Sequence, residues 1–240
     1  MQLIKNYKRT IFYINPKKIN YCLYPSKKCQ FTHYNLDKLH PHAGVDRGFF
    51  KEDEQGYIRI INRKWDISGP KFKDLVEYVA LENHFNGKQK WRDSEYAYRI
   101  INYIASGNIM HNFNRKDNRW KVSDFNIRLL KYIENKQINT EKNLKKIIIE
   151  REKEIDNLFK SILKNGILPC KSNNIADGFI NNVSINLGEK SKIFFNHRGH
   201  HRLAISKIFN LRNLPIKIAV AKNLQILKKF VSNNDYEKIN

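Results

Sequence analysis

Apolar and polar positions along the chain fall into short blocks with two different periods. Residues 57–61 alternate well enough for a strand and run into Trp65 and Asp66, with Ser68, Gly69 and Pro70 read as a turn. Beyond that turn Phe72, Leu75, Val76, Val79 and Phe85 recur at helical spacing, and the stripe ends near Gly87. A second helix is expected where Asp93 and Ser94 offer caps, Tyr96, Ile100, Ile101 and Ile104 form the stripe, and Gly107 closes it. Phe125, Ile127, Leu130 and Ile133 predict a third over 123–134. Upstream, residues 7–41 are aromatic and basic, and Pro16 and Pro25 break them into short strands or loops.

The grammar changes after a polar, Lys- and Asn-rich stretch that reads as a linker. Ile147, Ile148 and Ile149 form a β-branched run expected to be a strand, and Ile155, Leu158, Phe159 and Ile162 then share a helix face that Gly166 ends. Residues 183–187 and 192–195 read as a hairpin around Gly188. A turn at 197–199 opens a helix carrying Leu203, Ala204, Ile208 and Phe209, and a strand follows over 214–220. Leu224, Leu227 and Phe230 fit one basic amphipathic helix. The expected class is α/β (α+β). Its parts are an N-terminal region over 1–135, mainly helical after residue 70, a linker over 136–145, a domain with a small mixed sheet over 146–222, and a basic tail over 223–240.

Chemistry concentrates where residues 194–202 place a strand end and a tight turn directly before a helix. First-turn amides have no partners within their own helix, and the helix dipole favours an anion there. Gly199 lets the backbone approach a phosphate closely, Arg202 can return to the same phosphate from one turn into the helix, and His200 and His201 add donors. The same residues also suit a solvated helix start with histidines bonded to local backbone.

Ser161-Ile162, Gly166-Ile167 and Pro169, then Gly199 to Ala204 and Leu214-Pro215-Ile216, follow in order the pattern of the ParB/sulfiredoxin-like superfamily. The chain resembles a member of it with an N-terminal extension, the likeness covering about one third of its length. In that superfamily the Gly-x-x-Arg turn contacts nucleotide phosphates. The resemblance therefore implies a nucleotide, ATP or CTP with Mg²⁺, held by Gly199, His200, His201 and Arg202. By fold analogy Glu150 and Glu152 are the nearest acids for catalysis, with surface helix roles as the alternative. Sulfiredoxins carry a catalytic cysteine where this chain has His200, so sulfinic-acid reduction is not expected. ParB proteins carry a DNA-reading helix-turn-helix domain after the fold, where only a short tail is found here. The function that follows is an NTP-dependent phosphotransferase or NTP hydrolase acting on a small-molecule or sugar acceptor.

Composition adds an alternative. Lys and Arg total 45 against 23 acids, a formal charge of +22 over 240 residues. A field of that size draws in polyanions, so a non-enzymatic nucleic-acid-binding protein is the second reading, one whose affinity would fall steeply with salt. Compositional bias of the source accounts for the charge equally well. Trp65, Asp66, Trp91 and Tyr96, with Tyr98, are candidates for an acceptor groove in which aromatic faces stack a base or sugar; core packing is the plainer reading. His33, His40 and His42 lie loosely near Asp46, and no metal site is assigned. Cys22, Cys29 and Cys170 form neither a disulfide framework nor a metal pair. No apolar run is long enough for a membrane span and the first 18 residues lack a signal-peptide pattern, so the expected location is the cytoplasm.

Overall fold

The computed structural model describes residues 2–4, 7, 10–23, 57–62, 64–66, 68–97, 141–169, 182–196 and 199–238. These form a mixed α+β structure around a nine-stranded sheet. Its middle strand is β8 (Leu214–Ala221), whose near-continuous apolar sequence LPIKIAVA is buried at every position, as a strand covered on both faces must be. On one side β6 (Val183–Leu187) pairs with it in parallel, β7 (Ile193–Phe195) follows antiparallel to β6, β3 (Ile19–Leu23) lies parallel to β7, and β5 (Ser68–Lys71) closes that edge antiparallel to β3. On the other side the end of β8 pairs in parallel with β4 (Ile58–Ile60), which carries β1 (Gln2–Ile4) antiparallel. The start of β8 pairs antiparallel with β2 (Thr10–Ile14), and β9 (Tyr236–Lys238) lies outside β2. Strands from both sides of the expected linker thus share one sheet.

Among the described residues the main core takes side chains from α1 (Val76–Phe85), α2 (Glu141–Asn165), α3 (His200–Ile208) and α4 (Leu224–Ser232), and from Tyr96 and Ala97 in helical residues 95–97. Val183, Ile185, Leu187, Phe195, Ile216 and Ile218 meet Leu81, Ile155, Leu203 and Leu227 there. Phe159 of α2 joins the helices, its ring 4.4 Å from Phe85 and 4.7 Å from Phe209. On the opposite face of the sheet Trp65, Phe194, Ala219 and Val220 form a smaller cluster. Among the described residues no helix is long and apolar enough to cross a membrane.

The hairpin of β6 and β7, the strand β8 and the helix α4 lie where the sequence pattern places them. Three local expectations are corrected. Residues 147–149 are helical, inside α2, because Ile148 and Ile155 and then Ile162 continue one buried helix face at seven-residue steps and packing overrides the β-propensity of the run. Ser68, Gly69 and Pro70 belong to β5 rather than to a turn; an edge strand paired on one side only tolerates proline. In α1 the stripe is rotated: Val79 is 41% exposed, and Glu77, Tyr78, Ala80 and Leu81 are buried.

Candidate functional site

Gly199 sets the geometry of the turn between β7 and α3. Its backbone is left-handed (φ 77°, ψ 24°) at the N-cap position, where glycine brings no side-chain oxygen to the first-turn amides. It also sits directly on the start of β6, so that an added Cβ would lie 2.5 Å from Val183 Cα. The expected strand and helix are therefore present, and Gly199 at the helix start lies against Val183.

The two histidines that follow turn toward the interior. The His200 ring stacks on Phe195 at 5.2 Å, and its Nε2 lies 2.7 Å from Glu77 Oε2. His201 Nε2 lies 3.0 Å from Glu77 Oε1, and its Nδ1 is 3.2 Å from Arg151 Nη2. Because a guanidinium only donates, Nδ1 of His201 accepts and the ring proton sits on Nε2, facing the carboxylate. Arg151 in turn holds Glu154 at 2.6 Å. Glu77 of α1 thus fastens the first turn of α3, and Arg151 ties the same turn to α2.

The electrostatics follow from burial. Burial alone would raise the Glu77 pKa, but the charge and hydrogen bonding of His200, with His201, hold the carboxyl well below its usual range. His201 is pushed down to about 4 by burial first and by the Arg151 charge second, with Glu77 opposing both. At neutral pH the pair is a carboxylate facing a neutral His201, an anchor for the turn rather than a proton-transfer couple. Arg202 is partly exposed on the same turn.

The expected catalytic pair separates. Glu150 is exposed, whereas Glu152 is buried and accepts the Arg92 amide at 2.8 Å with the Arg92 Nε at 3.5 Å, which pins the 3₁₀ turn Trp91–Asp93 to α2. The expected acceptor group does not converge either. Trp91 and Tyr96 pack edge to face at 5.9 Å in the main core, while Trp65 lies on the other face of the sheet against Phe194. Asp66 accepts from Lys222 Nζ at 3.0 Å and from the Glu189 amide at 2.7 Å. Burial would raise its pKa, and those bonds hold it below the ordinary value; the contact latches residues 64–66 to the hairpin.

Among the described residues no group of three His, Cys, Asp or Glu is arranged to hold a metal. Glu77 and Glu152 are both engaged by cationic or imidazole partners, so neither carboxylate is placed to hold Mg²⁺. His197, Arg198, Tyr98, the group His33, His40, His42 and Asp46, residues 98–104 of the second expected helix, the helix expected over 123–134, and Cys29 and Cys170 lie outside the described residues. Cys22 is a buried free thiol. Glu77 and Arg151 were not legible as site residues in the sequence. The available signal was the spacing of Glu77, Ala80 and Leu81, an acid on a helix's apolar face, which is rare unless it is paired. Compared with family models, curated proteins and solved structures, the chain matches none of them.

Proposed function

We propose that the chain is a nucleotide-binding protein of ParB/sulfiredoxin-like design, which holds the phosphates of ATP or CTP at the turn from Gly199 to Arg202. The observation that carries this reading is the left-handed Gly199, seated on Val183 where no side chain fits, directly at the start of α3. With His200 and His201 committed to Glu77, the phosphate ligands are the first-turn backbone amides and the Arg202 guanidinium. Mg²⁺ bound with the nucleotide would offset phosphate charge. The activity we assign is transfer of the terminal phosphoryl group to a hydroxyl of a small-molecule or sugar acceptor, or to water. The bond from the γ-phosphorus to the β–γ bridging oxygen breaks and the nucleoside diphosphate leaves with that oxygen, a new phosphorus–oxygen bond forms to the acceptor, and the proton of the attacking hydroxyl passes to an ionised carboxylate acting as base. Of the two expected acids Glu150 is the exposed one.

The test is titration of ATP, CTP, GTP and UTP with Mg²⁺, read by calorimetry and thermal shift, on wild type and Arg202→Ala. One nucleotide is expected to bind, with an affinity about 10- to 150-fold weaker in the variant, the equivalent of losing about 1.5–3 kcal/mol from a charged hydrogen bond. Wild-type protein indifferent to all four nucleotides would remove the reading.

A further inference from the structure

The first turn of α3 is held by polar contacts of two kinds. Those that Glu77 makes with His200 and His201 are buried, its side chain only 4% exposed. The one that reaches the same turn from α2 faces solvent. Arg151 gives Nη1 to Glu154 at 2.6 Å, with the two side chains 26% and 33% exposed, and lays Nη2 3.2 Å from His201 Nδ1. Arg151 stands three residues after Ile148 and four before Ile155, both buried, so α2 carries it on the flank of its packed face. The two helices share one core, Ile155 of α2 with Leu203 of α3, which puts Arg151 and the first turn of α3 on the same side of the sheet.

The two kinds of contact differ in how readily they exchange. Opening the Glu77 contacts would leave buried polar groups without partners, which is costly. A solvent-facing ion pair contributes little and gives way to a better anion. Phosphate is such an anion: it carries more charge than a carboxylate and takes the guanidinium fork through two oxygens. His201 sets where that exchange would occur. Its imidazole accepts from Arg151, and its main-chain amide belongs to the first turn of α3, so an anion seated on that turn comes within reach of the guanidinium.

We infer that Arg151 is a further phosphate ligand at the turn from Gly199 to Arg202, and that Glu154 holds its guanidinium in place until a phosphate takes it over. The inference rests on the nucleotide reading above. It gives the site one arginine from α2 and one from α3, so that binding a phosphate draws the two helices onto the same anion.

The experiment measures binding of inorganic triphosphate, ATP, CTP, GTP and UTP, each with Mg²⁺, to the full chain as wild type, Arg151→Met and Glu154→Gln. Calorimetry at low ionic strength suits it, because exposed charges are screened least there. For each ligand that wild type binds, Arg151→Met is expected to bind about 10- to 150-fold more weakly, the loss of a charged hydrogen bond. Glu154→Gln is expected to bind up to about fivefold more tightly, since the phosphate no longer competes with a carboxylate. A link between Arg151 and Glu154 that served only to brace the turn would shift both variants the same way, because each breaks it. Affinity unchanged in Arg151→Met, or unchanged or weaker in Glu154→Gln, overturns the role of Arg151 and leaves the phosphate site standing. Glu154→Gln, a near-isosteric change at a solvent-facing side chain, decides the question alone if Arg151→Met fails to fold. Wild type that binds none of these ligands removes the phosphate site and this inference together.

Discussion

Replacing Glu77 with alanine is expected to destabilise the protein by about 1.5–3 kcal/mol, the usual cost of losing hydrogen bonds to a buried charged group while the polar partners stay behind. Glu77 is 3% exposed and faces two imidazoles within 3.0 Å, so the variant leaves His200 and His201 with no carboxylate and Arg151 beside them. Denaturant unfolding at neutral pH measures the loss; a change under 1 kcal/mol would mean that water or neighbouring groups readily replace the carboxylate. Acid titration of wild type gives a second view. The unfolded chain takes up a proton at His201 near 6.5, whereas the folded chain resists until about 4, so the unfolded state binds more protons in that window and stability falls as the pH drops through it. The Glu77 carboxylate, depressed below 4.5 in the folded state, removes a further increment below that value.

Gly199→Ala is expected to cost about 2–5 kcal/mol, combining about 1–2 for a left-handed non-glycine residue with about 1–3 for forcing a methyl into filled space. The atom it meets is Val183 Cα, backbone of the strand, which cannot move aside without displacing β6. Gly166→Ala is the control: its φ is 69°, and nothing lies within 4 Å of the added carbon, so only the conformational part, about 1–2 kcal/mol, should be lost. Thermal unfolding of the two variants separates the contributions, and equal losses would show that the contact with Val183 is yielding. The nucleotide binding proposed above should disappear in Gly199→Ala at temperatures where it is still folded, and persist in Gly166→Ala.

The parts of this structure that could be read in the sequence are those set by neighbouring residues. Gly87, Gly166 and Gly199 all have positive φ where two helix ends and the start of a third helix anticipate them, and the alternation of residues 183–187 and 192–195 places the hairpin correctly. What was not legible depends on distant partners. Ile147 to Ile149 look like a strand until α2 docks along Phe85 and Phe209 through Phe159. Glu77 looks like a solvent-facing residue until two histidines 123 and 124 positions later meet it, which also explains why the buried stripe of α1 is rotated away from Val79. Register was a further obstacle: Asn186, Lys217 and Arg59 are unremarkable singly, and only the pairing of β4, β8 and β6 brings them to the side that also carries Phe194 and Val220.

The position of β8 in the sheet has a consequence for how the molecule is made. β8 pairs with β2, β4 and β6, all of which precede it in the chain, and β9, later still, pairs with β2. A growing chain that has passed residue 200 therefore holds strands from three separate regions with their common neighbour not yet synthesised. Long-range pairing of this kind is slow, and open strand edges invite association with other chains. Residues 214–221 thus act as the keystone of assembly, and until they emerge from the ribosome the nascent protein is the form most in need of a chaperone.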